Sequence, residues 1–148
     1  MVKKKCKSFT LPQAHALLPT LEKRLKQLRD KKEAYTRTHD QLFMDELVCA
    51  AELSQGFPDR TDDLEAGIHE LEDAIEDLAK DVEAIFALGC MLRDIEKGHV
   101  EFFGSHAGKK VFFSWQLGEP CVGHYRPLGK KIHERVPLPR KAAIKKAK

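Results

Sequence analysis

The chain has 148 residues, 33% of them charged, with a formal net charge of +3. That length suffices for one domain with a real core and is too short for two sizeable ones. No apolar run approaches what a bilayer span needs, and Met1–Lys7 lacks the apolar stretch of a secretory signal, so the expected compartment is the cytoplasm, with no membrane partner.

Charge is unevenly distributed. Lysines crowd residues 1–7, Lys and Arg dominate 127–148, and 59–83 are strongly acidic, opposed only by Arg60 and Lys80. Basic ends read as solvated tails; the alternative is contact with nucleic acid or a ribosome. Cys6, Cys49, Cys90 and Cys121 are scattered and form no Cys-x-x-Cys pair, so free thiols are expected.

The first helix begins at Thr10-Leu11-Pro12-Gln13, where Thr10 and Gln13 form a capping box and Phe9 and Ala14 a hydrophobic staple. Pro12 is harmless in the first turn. Pro19 clashes with the carbonyl four residues back, so a short helix to about Leu18 is expected, then a kink or restart. From there to about Leu53 the chain lacks Gly and Pro. Leu18, Leu21, Leu25, Leu28, Tyr35 and Leu42 keep a helical spacing, with Lys32, His39 and Glu46 as polar gaps. Drift of the seam toward Phe43 and Leu47 would leave His39 at its margin.

Gln55–Asp59 breaks the pattern. Asp59 or Thr61 caps a second helix whose apolar residues, Leu64, Ile68, Leu71, Ile75, Leu78, Val82 and Ile85, alternate steps of three and four up to a stop at Gly89. Gly67 weakens it by about 1 kcal/mol relative to Ala. Two long helices joined by a short break pack antiparallel, with Lys23–Arg37 flanking the acids of 70–83.

After Gly89 the rhythm changes to short strands. Cys90–Asp94, His99–Phe103, Lys110–Trp115 and Val122–Arg126 are expected, with a hairpin connection over Gly104–Gly108. Val111, Phe113 and Trp115 share one face, toward the helices. The Pro137/Pro139 segment is expected to leave the fold. The fold class is therefore α+β: a long antiparallel two-helix hairpin, coiled-coil-like, then a small antiparallel β-meander packed on one end. Residues 1–8 form a basic tail, 9–138 a single domain (hairpin about 10–88, meander about 90–126) and 139–148 a second basic tail.

The segments Phe9–Ala14 with Leu17–Leu21, then Gly89, Leu92–Asp94, Gly98 and Val100–Phe102, then Val111 with Trp115–Pro120, resemble a small uncharacterised bacterial family, the domain of unknown function 2203. The resemblance spans about 9–138 and implies a cytoplasmic protein without an established activity. This chain departs from the pattern at Glu101 (Asp expected), Phe103 (Pro), Ser114 (Cys) and Arg126 (His). A ligand set needing that thiol or imidazole does not carry over.

The best candidate site is polar residues among the strands. His99, Glu101, Glu119 and His124 are candidate ligands for a transition metal such as zinc, manganese or iron, with Asp94, Cys90, Cys121 and His133 as outlying donors. His99-x-Glu101 puts both side chains on one strand face. The plainer alternative is that Asp94 and Glu119 accept backbone amides in turns while the histidines sit half exposed. On the acidic helix, Glu65, His69 and Glu72 share one face, but the inward positions are Leu64, Ile68 and Leu71, so the triplet faces water. No nucleophile elbow or phosphate loop occurs, and no catalytic residue is assigned. Trp115, Phe102 and Tyr125 beside Lys109, Lys110 and Arg126 are candidate stacking surfaces for nucleotides, although Trp115 fits the core better. The leading expectation is a non-enzymatic interaction or assembly module, as a homodimer or with a helical partner. Nucleic-acid association through the tails and a metal-binding domain or enzyme are the alternatives.

Overall fold

The computed structural model describes residues 6–139. Two α-helices, α1 (Leu11–Ser54) and α2 (Glu65–Phe86), precede five strands: β1 (Met91–Asp94), β2 (His99–His106), β3 (Lys109–Gln116), β4 (His124–Pro127) and β5 (Val136–Pro137). The sheet is an antiparallel meander in sequential order. The α+β class with a helical hairpin followed by a β-meander therefore holds. The two basic ends, residues 1–5 and 140–148, lie outside the described residues. No described helix is long and apolar enough to cross a membrane.

The chain divides into two compact units, one made of the sheet with Leu11–Lys26 and the end of α2 from Val82, the other of 27–81. In the first, α1 starts as its sequence requires. The Thr10 amide donates to Gln13 Oε1 at 2.9 Å, and the Gln13 amide to Thr10 Oγ1 at 3.3 Å. Phe9 and Ala14 are both buried. Phe9 also bridges to β2, its amide donating to the Phe103 carbonyl at 2.7 Å, and its ring meets Phe102 edge-on.

The restart expected at Pro19 does not occur, because α1 runs unbroken through it. Leu18, Leu21 and Leu25 are buried on either side. That burial, worth about 1.5–3 kcal/mol per side chain, offsets the roughly 3 kcal/mol of a helical proline.

The sheet's core face carries Val100 and Phe102 from β2 and Val111, Phe113 and Trp115 from β3, all buried. Its edges differ from expectation in three places. Strands β2 and β3 run to a two-residue turn at Ala107-Gly108, both with positive φ, so Gly104–His106 belong to the strand, not to the connection. Strand β4 begins at His124, because the Val122 amide donates to His15 Nε2 on α1 at 3.0 Å. The Pro137 segment does not leave the fold: Val136–Pro137 pairs with β4, and the Leu138 amide donates to the Gly123 carbonyl at 2.8 Å.

Within the second unit the helices run antiparallel. Lys31 Nζ bridges Asp77 and Asp81 at 2.9 and 2.8 Å, and Gly67 lies against Leu42. Leu64, Gly67, Leu71 and Leu78 are half-buried, whereas Ile68 and Ile75 are exposed flank residues. On α1 the half-buried positions of this unit are Lys32, Tyr35, Thr36, Thr38, Leu42, Asp45 and Glu52. The expected drift toward Phe43 and Leu47 thus does not occur. Both point to solvent, exposed by 54% and 52%, and His39 and Glu46 are exposed too. The seam instead keeps seven-residue steps, Leu28, Tyr35, Leu42 and Cys49 with Thr38 and Asp45 beside them, the 3.5-residue repeat of helices packed lengthwise. Neither Asp59 nor Thr61 caps α2 as expected: a 3-10 turn, Thr61–Leu64, precedes it with Arg60 at its N-cap and no side-chain capping bond, and Asp59 Oδ1 accepts from the Thr61 amide at 2.8 Å in the turn before.

Candidate functional site

The sheet face opposite the core is polar and largely buried. Alternation places His99 and Glu101 of β2, Ser114 of β3 and His124 and Arg126 of β4 on this one face. His99, Glu101, Ser114 and Arg126 are buried; His124 and Glu119 are about a third and a quarter exposed at the side chain. All four candidate ligands, His99, Glu101, Glu119 and His124, therefore fall in one neighbourhood. Cys90 and Asp94 do not join them, and His133 is exposed.

Arginines tie this group together. Arg126 grips Glu101 with two parallel bonds, Nε to Oε2 and Nη2 to Oε1, both 2.7 Å, the fork geometry that makes Arg–carboxylate pairs strong. Arg93 Nε adds a third donor to Oε1 at 2.9 Å. Phe112 is flanked by both guanidinium groups, with Arg126 4.6 Å and Arg93 5.6 Å from its ring centroid. Burial pushes the Glu101 carboxyl up, but the hydrogen bonds and charges of Arg126 and Arg93 outweigh it and hold it below the ordinary carboxylate value.

The second half centres on Ser114 and Arg135. Arg135 Nε donates to Ser114 Oγ at 2.8 Å, and His99 Nε2 lies 2.7 Å from the same oxygen. With the guanidinium donating to Oγ, the hydroxyl proton is left for His99 Nε2, which accepts it as a neutral imidazole. Burial, aided by the charge of Arg135, lowers the His99 pKa and favours that state, against the pull of Glu101. Arg135 Nη2 also donates to Glu119 Oε1 at 2.7 Å and meets His124 Nδ1 at 3.2 Å. Burial and Arg135 lower the His124 pKa as well.

The plainer alternative holds for the acids in turns. Asp94 accepts the Lys97 amide at 2.9 Å, and Glu119 Oε1 the Gln116 amide at 2.8 Å. It fails for His99, which is 3% exposed, not half exposed. Every oxygen of Glu101 faces an arginine, and among the described residues no three His, Cys, Asp or Glu side chains are grouped to hold a metal ion. Nor, among the described residues, does a buried side-chain nitrogen or oxygen lack a partner. The arrangement is an ion-paired lock, three arginines on two carboxylates, that joins β2, β3 and β4 to the segment leading into β5.

Ser114 and Arg126 enter the cluster beside Glu101 through strand register. Arg93 and Arg135 carried no signal in the sequence beyond a charged residue beside a strand. Of the stacking candidates, Trp115 and Phe102 are core, with Trp115 Nε1 donating to the Glu119 carbonyl at 2.9 Å. Arg126 is committed to Glu101. Only Tyr125, Lys109 and Lys110 remain accessible. Glu65, His69 and Glu72 face water as expected, His69 and Glu72 being 3.4 Å apart.

Cys90 is closed to chemistry: burial pushes its thiol up to about 11, and Sγ donates to the Ile85 carbonyl at 3.4 Å. Compared with known proteins, residues 7–138 match the family model described as Uncharacterized conserved protein (DUF2203). No curated protein and no solved structure matches the chain.

Proposed function

The chain belongs to this family of uncharacterized conserved proteins, and from that premise, which carries no activity, we propose that it is a non-enzymatic interaction or assembly module working through its helical hairpin. One observation carries the reading. On the far third of α1, Phe43, Met44, Leu47 and Val48 are each more than half exposed. Their spacing, i, i+1, i+4, i+5, continued by Ala51, forms one apolar stripe on the side of α1 away from Leu42 and Cys49. Contiguous exposed apolar surface of this kind marks interaction sites. The occupant proposed is the same helix of a second copy, two stripes meeting as a coiled-coil-like seam. The free state of all four described cysteines suits a reducing cytoplasm.

Light scattering behind size exclusion tests this. The wild-type chain is expected to exceed the 16.8 kDa of one copy as concentration rises, and Leu47→Glu with Val48→Glu is expected to return it to a monomer with unchanged thermal stability. A wild type that stays monomeric at about millimolar concentration, a regime where even weak pairs associate, removes the second copy as occupant.

A further inference from the structure

The hairpin tip carries a cavity on the sheet face that elsewhere is core. Alternation continues the row Val100, Phe102, Gly104 to His106, and sets Tyr125 and Pro127 beside Phe113 and Val111. Near the strand ends the cover on this face runs out: Val111 is buried, His106, Tyr125 and Pro127 are half-buried, and Lys109 and Lys110 are exposed. The hollow these six residues line has a volume of about 560 Å³, within the roughly 300–1,000 Å³ of small-ligand sites.

Its walls are of two kinds. The rings of His106 and Tyr125 lie 4.8 Å apart at 44°, which gives a flat ligand an aromatic surface above an aliphatic floor of Val111 and Pro127. Alternation sends Lys110 to the opposite face, where its Nζ rests 5.8 Å from the Phe103 ring centroid. Lys109 stays on the cavity's face with His106 and Val111, and among the described residues it has no ion-pair partner, so it offers a cation without a counter-charge. A site with aromatic walls and an uncompensated cationic rim suits a planar group that carries negative charge.

We infer that this cavity binds a nucleoside phosphate, with the base against Tyr125 and His106 and the phosphate at Lys109. The same chemistry is offered by a free mononucleotide and by a nucleotide within single-stranded RNA. The inference is independent of self-association through α1, since no residue is shared.

The experiment is an amide chemical-shift titration of the full ¹⁵N-labelled chain with adenosine 5′-monophosphate and, separately, with single-stranded oligouridylate. Saturable shifts are expected in 104–111 and 123–128. Shifts with the mononucleotide identify a free nucleotide as sufficient; shifts with the oligomer alone identify the RNA strand. Lys109→Ser, at an exposed position that leaves the fold intact, should weaken binding by about threefold or more and lower its salt dependence, whereas Lys110→Ser on the opposite face should not. Tyr125→Ala should weaken it by about fivefold or more, with Tyr125→Phe retaining it. The inference is overturned if neither probe shifts these amides, or if binding persists undiminished in Lys109→Ser, which would place the phosphate on other lysines of the chain.

Discussion

Glu101 is a carboxylate with no exposed surface, kept ionised by three N–H donors from Arg126 and Arg93. Removing its charge strands two guanidinium groups, so Glu101→Gln is expected to cost about 3–5 kcal/mol in denaturant unfolding at neutral pH. Its folded pKa is depressed, so its contribution is present above the ordinary glutamate value of about 4.3 and is lost as pH falls below it. The His99 pKa is also depressed, chiefly by burial. The folded protein therefore takes up this proton less readily than the unfolded chain. Stability is fully present above about pH 6.5 and declines as pH falls, by up to about 1.4 kcal/mol per pH unit. A melting-temperature profile should thus fall in two stages, and His99→Gln should make the stretch between about pH 6.5 and 5 shallower, leaving the share of His124, whose pKa is lowered too, while sparing the lower one. A wild-type profile flat over that stretch would contradict a buried neutral imidazole.

Among elements, two glycines separate close packing from loose packing. Gly104 lies where β2 meets Phe9, and a Cβ there would overlap the Phe9 carbonyl and the Phe113 ring. Backbone and a buried ring cannot yield, so Gly104→Ala is expected to destabilise by about 1–3 kcal/mol in equilibrium unfolding. Gly67 in α2 would place its Cβ 3.1 Å from Leu42 Cδ1, the free end of a flexible side chain bordering a cavity of about 390 Å³. Leu42 can swing aside there, so Gly67→Ala should be stabilising, by up to about 1 kcal/mol of helix propensity. Opposite signs for one chemical change would confirm that the sheet is tightly built and this part of the hairpin is not. Equal signs would refute it.

At the scale of the whole molecule, burial is concentrated in one unit. Of the buried side chains among the described residues, only Leu28 and Cys49 fall within 27–81; the rest belong to the unit that holds the sheet. Segments with few buried contacts open at low free energy. In the monomer, obtained at high dilution or with Leu47→Glu and Val48→Glu, native-state hydrogen exchange should therefore protect the amides of β2 and β3 far more than those of residues 33–60. Comparable protection in that monomer would refute this, whereas pairing with a second copy, by covering the Phe43–Val48 stripe, should raise protection of 33–60.

How much of this was written in the sequence follows from range. Local signals were legible: the Thr10–Gln13 box, the three-and-four spacing of 64–85, the glycine stop after α2 and the alternation Val111, Phe113, Trp115 each act over a few residues, and each sets an element. Even the grouping of His99, Glu101, Glu119 and His124 was foreshadowed, because strand period aims side chains at one face. Tertiary structure decided what those side chains do. Strand register brings Arg126 onto Glu101 and a returning segment lays Arg135 on Ser114, and neither pairing has a local pattern. Pro19 was overruled by burial on both sides of it, and the facing helix, through Gly67 against Leu42 and Lys31 between Asp77 and Asp81, holds the seam at seven-residue steps, so Phe43 and Leu47 stay outside it despite their hydrophobicity.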